Sequence, residues 1–216
     1  MLFEKIKSHA KVNLSLRVIG KRKSKLHNLE TLVAFIDLHD QILIKKINNK
    51  NHKVKFSGQF SNKIPKENTV SKLLKLLDKK NKLKDQKYFI KIKKNIPQES
   101  GLGGGSMNAA SLINYFVKKN KINLTSNERY KLCSKIGSDV ILGIEQKNLI
   151  ICNKKKIKKI NKNLKLIALM IKPNFGCSTK SIFKQVRYYS KPQLSKVKSK
   201  NIDFNLLLKM KNDLEP

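Results

Sequence analysis

Tryptophan is absent from this 216-residue chain, and cysteine is limited to Cys133, Cys152 and Cys177. Three thiols cannot all pair, no two stand as CxxC, and their wide spacing excludes a disulfide framework. Reduced thiols in a cytoplasmic setting are the expectation. Histidine is limited to His9, His27, His39 and His52, and their sequence spacing suggests no metal site. Long apolar runs are missing too. No window reaches the length of a membrane-spanning helix, and the N-terminus has no signal-peptide core, so no membrane partner is expected. Acidic residues are few, 14 against 49 Lys and Arg, which leaves a formal charge of +35.

That charge does not by itself make a nucleic-acid binder. The lysines are spread over the whole length, arginine is scarce, and asparagine and isoleucine are abundant. Lys, Asn and Ile share A/T-rich codons, so base composition accounts for the bias. There is no focused basic stripe interleaved with aromatics, and no specific nucleic-acid partner is expected. Weak, salt-sensitive binding to polyanions still is.

Glycine numbers only nine, yet four glycines fall within Gly101-Leu102-Gly103-Gly104-Gly105. The run Pro97-Gln98-Glu99-Ser100-Gly101-Leu102-Gly103-Gly104-Gly105-Ser106-Met107 stands between a strand-like segment (88–96) and a helix-like one (106–119). Such a turn lets backbone N–H groups approach an anion, and the helix N-terminus adds partial positive charge. It is not a Walker A loop, because no Gly-Lys-Ser/Thr closes it. It is not a Rossmann fingerprint, because Ser106 holds the place of the third glycine. Ser106 is positioned to cap the helix or to reach a metal-bound phosphate. A Cβ at Gly104 is expected to obstruct backbone approach to phosphate.

Elsewhere the periodicity is clear in places. Residues 11–18 alternate, with Val12, Leu14, Leu16 and Val18 on one face and Lys11, Asn13, Ser15 and Arg17 on the other. They predict a half-buried strand. Residues 20–27 read as a loop. Segments 29–36 and 41–47 read as two extended stretches broken at 37–40, with 53–60 a further short strand. Val70, Leu73, Leu74 and Leu77 predict an amphipathic helix over 68–83. Thr125-Ser126-Asn127-Glu128 is a capping box, and Gly137 is placed to end that helix. Segments 149–152 and 164–171 read as buried strands joined by a lysine-rich connector (157–165). Residues 178–186 and 202–210 have helical spacing, with 188–200 loop-like between them.

Phosphoryl transfer needs a phosphate cradle, neutralising charge and a group that orients or deprotonates the acceptor hydroxyl. The glycine run offers the cradle, Lys11 a cation on a strand's polar face, and Asp139 a candidate base. A lysine beside Asp139 would keep it ionised. Each signal is weak taken singly, since most lysines are solvated and an Asp after a helix-ending Gly is commonly a turn-former.

In combination they resemble a known family. Ala10-Lys11-Val12-Asn13-Leu14, the run from Pro97 to Ala110, and Ile136-Gly137-Ser138-Asp139-Val140 occur in the order seen in the GHMP small-molecule kinase superfamily. Residues 27–32 (HNLETL), 37–40 (DLHD), Lys172-Pro173 with Ser178-Thr179, and 212–215 (NDLE) extend the resemblance across residues 10–215. They make it most similar to members acting on a cytidine diphosphate-linked methylerythritol in non-mevalonate isoprenoid synthesis. The resemblance implies an α+β fold. Residues 1–155 would form an ATP-binding domain like ribosomal protein S5 domain 2, and residues 156–216 a ferredoxin-like domain on the substrate side. It implies ATP and Mg²⁺ as cofactors and Lys11 and Asp139 as the catalytic pair. ATP would be bound by Pro97, Gln98, Glu99, Ser100, Gly101, Leu102, Gly103, Gly104, Gly105, Ser106 and Met107, with Ser106 near the metal. Asn13, His27, Thr179 and Phe183 would hold the acceptor, His27 reading the cytosine edge and Phe183 stacking on its ring.

The chain departs from the family pattern at Leu26, where a stacking tyrosine is frequent, and at Met107 and Ile141, where Ser and Pro are more usual. The family's further glycine-rich segment after the NDLE helix has no counterpart before Pro216, so an incomplete C-terminal domain is the expectation. Three rival readings remain. One is a kinase of the same superfamily with another acceptor. Another is a non-catalytic RNA- or anion-binding protein on the S5-like fold, which would need neither Asp139 nor three successive glycines. The third is a truncated, inactive kinase that still folds and binds nucleotide.

Overall fold

A computed structural model describes residues 2–21, 27–119, 121–152, 156–160, 167–171, 179–197 and 202–215. The elements in chain order are β1 (Glu4–Lys21), β2 (His27–Ile47), β3 (Lys53–Ser57), α1 (Thr69–Lys79), β4 (Lys87–Lys93), α2 (Gly104–Lys118), α3 (Ser126–Ile136), α4 (Val140–Glu145), β5 (Leu149–Ile151), β6 (Ile157–Lys159), α5 (Thr179–Lys184) and α6 (Phe204–Leu208). They form two compact units that interleave in sequence. One comprises Met1–Ala10, Ile36–Gln98 and Leu102–Gln146; the other comprises Lys11–Phe35, Glu99–Gly101 and Lys147–Pro216.

In the first unit β4 is antiparallel to β2, with Gln41 opposite Lys93 and Ile47 opposite Lys87. β3 runs parallel to β4. The period-two pattern sends Ile42, Ile44, Ile90 and Ile92 to one face. There they pack with Val70, Leu73, Leu74 and Leu77 of α1 and with Leu112 and Phe116 of α2. Asn68 caps α1 and shares a capping box with Ser71. Thr125 and Glu128 form the expected box at α3. Lys82 reaches Glu128 at 2.8 Å.

The Lys82 hydrogen bond, followed by the Thr125 backbone and hydroxyl, lowers the Glu128 carboxyl to about 2. A depressed carboxylate contributes stability above its unfolded pKa and loses it as pH falls through the folded one. Glu128→Gln should therefore lower the urea midpoint at neutral pH, and the gap to the parent should close between about pH 4.5 and 2. A gap independent of pH would assign the effect to the cap geometry alone.

In the second unit β5 is antiparallel to β2, with Thr31 opposite Ile151 and Val33 opposite Leu149. β6 is antiparallel to β5. Leu32, Ile150, Cys152, Ile160, Leu194 and Ile202 form its core. Buried Glu30 accepts the backbone N–H groups of Gln193 (2.7 Å) and Leu194 (2.9 Å). At the chain end Asp213 donates its N–H to the Leu16 carbonyl (2.8 Å), and its carboxylate accepts the Val18 N–H (2.8 Å).

Several sequence expectations change. Residues 37–40 do not interrupt β2, which runs unbroken for 21 residues. Asp40 there is not a turn-former but a buried acceptor. Residues 157–159, expected as connector, add β6 to the sheet. Of the expected buried strand 164–171, residues 167–171 are neither strand nor buried, with Ile167, Leu169 and Ile171 on the surface. Residues 164–166 lie outside the described residues. Gly137 ends α3 in an extended conformation (φ 177°), not the left-handed one that favours glycine. The 212–215 segment lies along β1 through a Leu16–Asn212 bridge and is not helical.

Candidate active site

The glycine run follows β4 directly, and its backbone has the shape the composition anticipates. Glu99 (φ 53°), Gly101 (φ 72°) and Gly103 (φ 68°) are all left-handed, so three of five successive residues take a conformation that L side chains avoid. The chain turns there and enters α2. Gly103 is the N-cap and makes no side-chain hydrogen bond, and α2 starts at Gly104. Ser106 is thus the third helical residue and does not cap. The first-turn N–H groups of α2 have no capping side chain, the condition under which an anion is held at a helix start.

Supporting contacts fix the loop in the first unit. Gln98 donates to the carbonyls of Phe60 (3.0 Å) and Asn62 (2.5 Å). Thr69, at the start of α1, donates to the Gly105 carbonyl at 2.6 Å. The space beside Gly104 corrects the expected reason for that glycine. A Cβ there would meet Ile96 Cγ2 at 3.0 Å and Lys94 Nζ at 3.2 Å, so it points into the packed strand exit.

Asp40 is the residue that reading the sequence missed. Its carboxylate, fully buried, accepts the N–H groups of Asn95 (2.8 Å) and Ile96 (2.9 Å) and the Asn108 amide (3.0 Å). It also pairs with the buried Lys94 ammonium. One carboxylate therefore ties β2 to the loop's entry and to α2. Its place in the DLHD segment (37–40) is part of the family resemblance, but as a single residue it is an aspartate just before a strand, which reads as a turn.

The third motif comes beside the glycine run. Gly137 lies next to Ser106, since a Cβ on Gly137 would stand 3.7 Å from Ser106 Oγ. Asp139, half-buried, is the N-cap of α4, and Ser138 Oγ donates to its Oδ1 at 3.2 Å. Helix α4 was not anticipated, because six residues carry too little periodicity. It packs backbone-first on α2: a Cβ on Gly143 would lie 2.6 Å from Ala110 Cβ and 2.9 Å from Met107 Sδ. Gly143→Val should cost about 1–3 kcal/mol by overpacking. It should also lower turnover, because α4 carries Asp139. Urea melts with initial rates check both, and parental stability would show that α4 tolerates the shift.

The second unit holds the other candidates. Lys11, only 7% exposed, donates to Asn13 Oδ1 at 2.6 Å. Asn13 donates to Thr31 Oγ1 (2.7 Å), which donates to the Ser15 carbonyl (2.6 Å). The polar face of β1 is thus itself covered, and Lys11 and Asn13 are held in fixed orientation. His27 and Phe183 stack on one another, ring centroids 5.2 Å apart and planes at 24°. The side chain of Thr179, together with Leu26, Lys172, Pro173 and Ser178, lies outside the described residues. Burial raises the Cys133 thiol to about 11 and pushes Cys152 up as well, so both are protonated and neither is a nucleophile at neutral pH.

The arrangement matches known kinases in sequence as well as shape. The GHMP kinases N terminal domain matches residues 68–149, the stretch from α1 to β5 that contains the glycine loop. Over 211 residues the chain is 52% identical to the 4-diphosphocytidyl-2-C-methyl-D-erythritol kinase of Pelagibacter ubique, covering 98% of this chain and 75% of that one. The chain belongs to the 4-diphosphocytidyl-2-C-methyl-D-erythritol kinase family. A Clostridium botulinum member of this family is 35% identical over 224 residues, with 97% and 76% of the two chains covered. A crystal structure of 4-(cytidine 5'-diphospho)-2C-methyl-D-erythritol kinase superposes with a TM-score of 0.69 at 21% identity, covering 98% of this chain and 76% of that one. Homoserine kinase from Cytophaga hutchinsonii follows at TM-score 0.58 and 15% identity, covering 88% and 62%. Those two likenesses carry the fold alone, the mixed α/β fold of GHMP kinases. Among the described residues no helix is long and apolar enough to cross a membrane.

Proposed function

We propose that this chain transfers the γ-phosphoryl group of ATP to the 2-hydroxyl of 4-diphosphocytidyl-2-C-methyl-D-erythritol. The observation that carries the reading is the left-handed glycine loop opening onto an uncapped helix start, with Gly137 of the third motif packed against Ser106. Residues Pro97 to Met107 bind the ATP phosphates through backbone N–H groups. Asp139 accepts the proton of the acceptor hydroxyl. The oxygen then bonds to the γ-phosphorus as the bond to the bridging β,γ-oxygen breaks, and ADP leaves. Lys11, held by Asn13, keeps hydroxyl and carboxylate in line. Asn13, His27, Thr179 and Phe183 take the acceptor. The half-buried Ser106 hydroxyl is a hard oxygen donor in the first turn of α2, and such a donor suits Mg²⁺. When bound, the metal neutralises phosphate charge. In fold terms, residues 1–155 read as the S5-like nucleotide domain and 156–216 as a ferredoxin-like acceptor domain.

The His27–Phe183 stack refines the base contact. A cytosine on the outer face of Phe183 leaves the pair intact, whereas one inserted between the rings has to separate them. Base–aromatic stacking contributes about 1–3 kcal/mol. Phe183→Leu should therefore raise KM for the cytidine substrate roughly tenfold with KM for ATP unchanged. An unaltered acceptor KM removes Phe183 from the site.

A coupled ATP-turnover assay with and without the cytidine-linked acceptor tests the reading. Substrate-dependent ADP release is expected. Release with homoserine or mevalonate in its place would reassign the acceptor, and no release with any of them would overturn the kinase reading for this chain.

A further inference from the structure

We propose that His9, Asp37 and His39 form a binding site for a borderline divalent metal ion of the Zn²⁺ class, separate from the phosphate loop. His9 is distant in sequence from Asp37 and His39, and the fold brings it to them because β1 pairs with β2. One ligand atom from each lies within 4.8 Å of the other two. The imidazole rings are 5.3 Å apart between centroids.

The state of the rings is the second observation. His9 Nδ1 is 3.0 Å from the Ile36 carbonyl, and His39 Nδ1 is 2.6 Å from the Asp37 carbonyl. A carbonyl only accepts, so each Nδ1 carries the proton and each Nε2 keeps its lone pair. A metal-binding histidine is oriented in this way, with its other ring N–H given to a backbone carbonyl. Both rings are partly buried, which limits their rotation. Asp37 is 93% exposed with its Oδ1 3.9 Å from His39 Nδ1, so its carboxylate has to swing round to share an ion with Nε2, and its exposure leaves room for that.

The donor set selects the ion. Two imidazoles and one carboxylate suit Zn²⁺, Co²⁺ or Ni²⁺, whereas Mg²⁺ prefers oxygen ligands and retained water. Zn–N and Zn–O bonds of about 2.0–2.2 Å place tetrahedral ligands roughly 3.4 Å apart. Movement of the exposed Asp37 side chain closes the gap on its side, and three protein ligands leave a fourth position for water. The chain's charge of +35 opposes any cation, so the carboxylate of Asp37 matters beyond its one bond.

The test is Zn²⁺ titration by calorimetry, with Co²⁺ absorption as a second signal, on metal-stripped full chain carrying no histidine tag. One strong site per chain is expected. His9→Ala and His39→Ala should each weaken it roughly tenfold or more. Asp37→Asn should weaken it too, and His27→Ala should not. Melting in a chelator shows whether each variant still folds. The Zn²⁺-induced rise in Tm should be clear in the parent and reduced in the two histidine variants. No stoichiometric binding, affinity unchanged in both of those variants, or affinity lost in His27→Ala would overturn the site.

Discussion

Asp139→Asn is expected to lower kcat by roughly 10²- to 10⁴-fold, about 3–5 kcal/mol of barrier, with ATP binding intact. Asparagine keeps the size and planar shape of the side chain and can still accept from Ser138 Oγ, so α4 should begin at the same place. What it cannot do is take a proton. The loss should therefore fall on turnover, since the phosphate loop is fixed by Gln98 and Thr69. Separate kcat and KM values distinguish base from scaffold: a lost base lowers kcat alone, whereas a disturbed scaffold raises KM for ATP as well. Turnover within a few-fold of the parent would take Asp139 out of the chemistry and leave it as the cap of a short helix.

The strand–loop–helix around Gly101 to Gly105 was legible in the sequence because its signals are local. Lysine alternation marks β4, glycines supply left-handed positions, and Ala109, Leu112, Ile113 and Phe116 make one stripe on α2. The Thr125–Glu128 box was legible for the same reason. What stayed hidden depends on partners distant in sequence. Asp40 looks like a chain-breaking aspartate until Lys94, Asn95, Ile96 and Asn108 are placed around it. Residues 157–159 look like a charged connector until β5 offers an edge to pair with. His9 and His39 have no motif spacing because only strand pairing brings them together. Isolated α4 has too few residues to show a period, and its position comes from Gly143 fitting against Ala110 and Met107. The pairs Lys11–Asn13 and His27–Phe183 lie between these cases. Their residues were singled out by resemblance, and the structure adds the contacts that hold each pair.

Asp40→Asn should destabilise the fold by about 3–5 kcal/mol, the usual consequence of removing one partner from a buried ion pair. The change conserves volume, so no cavity accounts for it. The loss arises because Lys94 keeps its charge in a site that is only 4% exposed, with its counter-ion gone. Asparagine also has one acceptor oxygen where the carboxylate offers two, and four donors converge there. Two of those donors are the backbone N–H groups of Asn95 and Ile96, immediately before the phosphate loop. A third, Lys94, has its ammonium against the start of α2 beside Gly104. Asparagine's oxygen can still accept from Asn95 and Ile96, but its NH2 replaces the Oδ2 that holds Lys94 and Asn108, so the variant that still folds should bind ATP more weakly through a loop entry no longer tied to α2. Lys94→Met in the same chain separates the two effects. Removing the second charge should restore part of the stability, since an apolar pair can replace a buried ion pair at little cost. It should not restore ATP affinity, because the link from Oδ2 to Asn108 of α2 is still missing. Recovery of both in the double variant would make charge balance the whole of Asp40's role, and parental stability in Asp40→Asn alone would mean that the buried pair contributes nothing.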